Sequence, residues 1–149
     1  MINMRHTGIY VKELTRMTLF YREVFHMHTI GEEVEQADAL IEDLFRTPGA
    51  RVKITKLITE QGKASGTGDM VELLELAVPE KEAQAPLKSI AAGLHIAFGV
   101  RDMEATCAAV VAHGGRLATR VHDMGNGNLC CFCRDPEGNW LELIARRKA

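Results

Sequence analysis

Two stretches of this 149-residue chain align with each other without gaps, and that internal repeat limits the possible folds more than any other feature. His6-Thr-Gly-Ile-Tyr-Val-Lys-Glu-Leu14 matches His95-Ile-Ala-Phe-Gly-Val-Arg-Asp-Met103: a histidine, an alternating run ending in valine, then a basic, an acidic and an apolar residue. Gly68-Asp-Met-Val-Glu72-Leu-Leu74 matches Gly138-Asn-Trp-Leu-Glu142-Leu-Ile144: a glycine, a turn residue, a large apolar residue, then aliphatic, glutamate, leucine, aliphatic. Each half therefore opens with a histidine strand and closes with a glutamate strand.

Each opening strand is followed by a helical pattern. Met17, Phe20, Tyr21 and Val24 recur at i, i+3, i+4, i+7 behind a possible Thr15 cap. In the second half Asp102 can cap a helix running through Thr106, Ala109 and Val110 to His113, stopped by Gly114-Gly115. Strand-like segments then fall at 39–45 and 52–58, and at 116–121 and 129–133. The unit is βαβββ, used twice. The Gly-rich segments 60–69 and 122–128 read as mobile loops, and 79–93 joins the halves. Neither half is long enough to bury a core alone, so the expectation is one α+β domain over 1–149, with modules at about 4–78 and 93–146.

Composition removes several kinds of function. With 18 basic and 20 acidic residues there is no positive excess to follow a phosphate backbone, so no nucleic-acid partner is expected. The apolar runs are only a few residues long, against the ~20 that span a bilayer, so no membrane partner is expected either. The opening MINMRHTGIY has no apolar export core, which makes the cytoplasm the expected compartment. Cys107, Cys130, Cys131 and Cys133 read as reduced thiols, three of them within four positions.

Strand parity locates the candidate chemistry. Successive side chains face opposite ways, so His6, Gly8 and Tyr10 share one face, and His95, Ala97 and Gly99 share its counterpart. The aliphatic residues between them belong on the helix side. On the closing strands Glu72 lies with Met70 and Leu74, and Glu142 with Trp140 and Ile144. Two imidazoles and two carboxylates meeting in an apolar wall would be costly without a neutralising divalent cation. An N₂O₂ set suits Zn, Ni, Co, Mn or Fe(II). The small residues Gly8, Ala97 and Gly99 leave room above it for a substrate.

From RHTGIYVKELTRMTLFYREVF to LHIAFGVRDMEA and DPEGNWLELIAR, the chain resembles the vicinal oxygen chelate superfamily. That group includes glyoxalase I, methylmalonyl-CoA epimerase, extradiol dioxygenases and the fosfomycin and bleomycin resistance proteins. The resemblance implies paired βαβββ modules with a metal in the concave sheet, held by His6, Glu72, His95 and Glu142. It implies a homodimer, and a small substrate that chelates through two vicinal oxygens. Four protein ligands with two open positions suit a glyoxalase I-type lyase or isomerase, in which an enediolate forms and Glu142 or Glu72 moves the proton. Histidine as first ligand resembles the nickel- or cobalt-preferring bacterial form. The residues after Glu72 lack the asparagine that glyoxalase I uses for glutathione, and VELLE is closer to the epimerase, whose second carboxylate would fall near Glu42 or Asp43.

Two further readings are an Fe(II) extradiol oxygenase using His6, His95 and Glu142, and a metal-free drug- or metabolite-binding protein. Glu72 counts against the first as a surplus ligand, and the intact ligand set counts against the second. The remaining polar candidates receive structural roles. His26, His28, His113 and His122 read as ordinary surface or core histidines, Glu75 as solvated or capping, and Cys131 and Cys133 as small hydrophobes. Trp140 and Met70 read as pocket wall, and Glu32-Glu33-Val34-Glu35 as a solvated edge.

Overall fold

The computed structural model of the chain describes residues 5–41, 48–66, 68–77, 94–124 and 127–146. They form two compact units, one holding the first four strands and one the last five. The first half of the chain runs β1 (Thr7–Val11), α1 (Leu14–Phe25), β2 (His28–Gln36), β3 (Arg51–Ile58), α2 (Glu60–Ser65) and β4 (Met70–Ala77). The second runs β5 (His95–Val100), α3 (Met103–Ala112), β6 (Arg116–Leu117), β7 (His122–Asp123), β8 (Asn128–Arg134) and β9 (Trp140–Arg146). The fold is α+β, and each sheet has the same plan. The opening strand lies parallel to the closing one, which is antiparallel to the strand before it: β1-β4-β3-β2 in one unit and β5-β9-β8-β6 in the other, with β7 also on β8.

In the first unit Ile9, Val11, Val71, Leu73 and Leu57 are buried, as are Met17, Phe20 and Tyr21 along one stripe of α1. Three local expectations are corrected here. Segment 39–45 is not a strand where it is described: 39–41 are helical, Asp38 Oδ1 accepts from Ile41 N at 3.0 Å, and Ile41 packs with Ala50, Val52 and Ile54. The missing strand is β2, whose polar HTIGEEVEQ run sits on the sheet edge and so has no apolar alternation to betray it. Segment 60–69 is not simply a loop, because Thr59 caps α2 through Gly62 N and Gly66 closes it in the left-handed conformation. Thr15 does not cap α1; its hydroxyl donates to Glu33 Oε1, and Glu75 Oε2 takes the Leu14 N–H at 2.7 Å. The acidic run does lie on the edge, as expected, and Glu75 does cap.

In the second unit Asp102 caps α3 by accepting from Ala105 N. The chain turns at Gly114 and Gly115 so closely that a Cβ on Gly115 would meet Arg134 O at 2.6 Å. Phe98, Leu141, Leu143, Cys131 and Cys133 fill the buried face with Cys107 and Val110 of α3. The strand expected at 116–121 is cut to two residues. Ala118 N and Thr119 N both donate to Phe132 O, a bulge that ends the ladder. Within 122–128 the pair His122–Asp123 is strand β7 rather than loop. The joining segment 79–93, Glu42 and Asp43 lie outside the described residues.

Candidate functional site

In the first unit the register sets Gly8 of β1 beside Glu72 of β4, and His6 precedes β1 on the same face. His6 Nε2 lies 3.3 Å from Glu72 Oε2; the imidazole is 44% exposed and the carboxylate only 12%. Sheet position produces this contrast, since the glutamate's strand is flanked on both sides while the histidine precedes an edge strand. The second carboxylate oxygen, Oε1, faces Lys56 Nζ at 3.3 Å, and Lys56 is directly opposite Glu72 on β3. Sequence reasoning missed Lys56; it becomes visible only once β3 and β4 are set in register.

The second unit repeats the arrangement. Ala97 of β5 lies beside Glu142 of β9, and His95 Nε2 lies 3.2 Å from Glu142 Oε2. The surroundings differ. Phe132 stands opposite Glu142, its ring edge-on to His95 at 5.5 Å and to Trp140 at 6.5 Å, while the Arg134 guanidinium covers the indole at 4.1 Å. Glu142 Oε1 accepts from the Cys130 thiol at 3.3 Å. Burial first, then the Glu142 carboxylate, push the Cys130 thiol up to about 11. Cys130 was also missed, although it shares the Glu142 face once β8 is paired; Cys131 and Cys133 face the core, and burial pushes Cys133 up to about 12.

The other histidines take local roles. His26 ends α1 in the left-handed conformation, His28 pairs with Glu60, His113 follows the end of α3, and His122 lies on β7. Among the described residues no group of three His, Cys, Asp or Glu side chains is placed to hold a metal ion. The four expected ligands occur instead as two pairs, one in each unit.

Each pair fits one side of a cation. Two donors at about 2.1 Å from a metal, separated by an angle between square and tetrahedral, lie about 3.0–3.4 Å apart. The observed 3.3 and 3.2 Å fall in that interval. Imidazole nitrogen with carboxylate oxygen is a donor set for Ni, Co, Zn, Mn or Fe(II).

Two modules, each with its opening strand parallel to its closing strand, give the vicinal oxygen chelate fold. The chain belongs to the Glyoxalase/Bleomycin resistance protein/Dioxygenase superfamily, whose family model matches residues 3–143. It is 27% identical to a probable lactoylglutathione lyase of Vibrio parahaemolyticus over 97% of its own length and 91% of that protein. It is 29% identical to a lactoylglutathione lyase of Schizosaccharomyces pombe over 96% of its length, but spans only 47% of that protein. Among solved structures, a glyoxalase family protein from Bacillus cereus superposes with a TM-score of 0.86 at 20% identity, covering 99% of this chain and 96% of that one. A fosfomycin resistance protein from Listeria monocytogenes, complexed with Mn(II) and sulfate, superposes with a TM-score of 0.58 at 18% identity, covering 97% and 93%. No helix of the described residues is long and apolar enough to cross a membrane.

Proposed function

We propose that His6, Glu72, His95 and Glu142 together hold one divalent ion, and that the protein is a lyase or isomerase of the glyoxalase I type. It moves a proton next to the carbonyl of a small molecule with two vicinal oxygens. The observation that carries this reading is the matched pair of histidine–glutamate contacts, at 3.3 and 3.2 Å and at equivalent register in both modules. The relatives named lactoylglutathione lyase and the manganese complex of the Listeria protein support it. A homodimer binding Ni, Co or Zn is the corresponding assembly.

The two glutamates have different work. A divalent ion bound there supplies a Lewis acid for the two substrate oxygens. Glu72 is engaged on both oxygens, by His6 and by the Lys56 ammonium, so protonating it would forfeit an ion pair. Among the described residues Glu142 meets no ammonium; its second oxygen accepts from a thiol that holds its proton, and Phe132 and Trp140 flank it. Glu142 is therefore the general base and Glu72 the fixed ligand.

Metal analysis and turnover together test this reading. Glu142→Gln keeps a possible oxygen ligand and removes the base, so kcat falls by about 10²–10⁴ with metal still bound. Glu72→Gln weakens metal binding more than it slows the loaded enzyme, and His95→Ala lowers both metal content and metal-dependent stability. Retention of full metal content and turnover by all three variants sinks the reading.

A further inference from the structure

The modules match around their histidine–glutamate pairs but differ opposite the glutamates. Lys56 stands across from Glu72, whereas Phe132 stands across from Glu142. Lys56 is half exposed, at 50%, and its ammonium points along the face that carries His6 and Glu72. On its other side Lys56 pairs with Gly31 of β2, where even a Cβ would touch nothing within 4 Å. The position paired with Lys56 therefore puts no side chain between Lys56 and a ligand lying over Glu72.

We propose that Lys56 is a specificity-determining residue that selects anionic chelates: 2-hydroxy and 2-oxo carboxylates, in which one of two adjacent oxygens belongs to a carboxylate. The inference rests on the four-ligand reading above. With neutral imidazoles, the two glutamates cancel the charge of a divalent ion, and the lysine is left as one positive charge beside the ligand set. A monoanionic chelate neutralises that charge; a neutral molecule of the same shape leaves it. With a phenyl group at the position, as in the second module, the loaded site would be neutral and indifferent to this distinction. Lys56 stays on Glu72 throughout and acts through the field it adds, so arginine is the conservative replacement.

Lactate and lactamide are near-isosteric and differ by one charge, which makes them suitable probes. Their dissociation constants are measured by calorimetry on the metal-loaded full chain and on Lys56→Met and Lys56→Arg. Because the metal itself prefers lactate, the informative quantity is how the lactate-to-lactamide preference changes on substitution. It drops about fivefold in Lys56→Met, as for one charge partly screened by solvent, and is kept in Lys56→Arg. Metal content stays unchanged in both. An unchanged preference in Lys56→Met, with metal-dependent lactate binding intact, overturns the role of Lys56 alone. If neither probe binds the loaded protein better than the metal-free one, the four-ligand reading falls and this inference with it.

Discussion

Glu75 and Glu72 are three residues apart on one strand and serve different ends, which makes the pair a sharp test of the structural reasoning. Helix α1 begins without a side-chain cap from Glu13 and without an acidic residue in its first turn. Its Leu14 N–H goes instead to Glu75 Oε2, at 2.7 Å from a strand 61 positions later. Glu75→Ala removes a charge-assisted hydrogen bond to a carboxylate at the positive end of the helix dipole. That costs about 1–2 kcal/mol. For a chain of this length, with an unfolding entropy of about 0.3 kcal/mol/K, the melting temperature falls by about 3–6 °C. Glu75→Gln keeps an acceptor and recovers about half of the loss. Differential scanning calorimetry reads the shift, and metal analysis on the same samples separates stability from ligation. Glu75→Ala keeps its metal; Glu72→Ala loses it. A Glu75→Ala protein that melts within about 1 °C of the parent, or that loses metal while Glu72→Ala keeps it, refutes the assignment.

Gly115→Ala drives a methyl group against Arg134 O and Val110, and urea unfolding should show a loss of about 2–4 kcal/mol, whereas Gly99→Ala, with nothing within 4 Å, stays within about 0.5 kcal/mol. Burial pushes the Cys107 thiol up to about 11 and Cys133 to about 12, while the unfolded chain ionises its thiols near pH ~8.5. The folded values are raised, so this contribution is complete below pH ~8.5 and is lost as pH rises through about 11 and 12. Urea midpoints from pH 8 to 10.5 should therefore fall more steeply in the parent than in Cys107→Ala/Cys133→Ala; equal slopes contradict it. For the same reason both thiols should resist iodoacetamide in the native protein and react on unfolding.

His6, Glu72, His95 and Glu142 could be placed by counting alone, because side-chain alternation is a local property of an extended backbone and an internal repeat is a property of the chain. The register sets Gly8 beside Glu72 and Ala97 beside Glu142. The helices α1 and α3 were likewise visible in their apolar spacing. Edge strand β2 was not, because a strand paired on one side with both faces wet carries no apolar period. The segment after it was read as a strand because short apolar runs do not distinguish strand from helix; the Asp38 cap and the seat of Ile41 beside Val52 decide it. Lys56 beside Glu72, Cys130 beside Glu142 and Glu75 at the start of α1 are contacts between residues 12 to 61 positions apart. Each depends on which strand lies next to which and in what register. That choice is made by the burial of both sheets' apolar faces at once, and it is what makes two glutamates with near-identical sequence contexts chemically unlike.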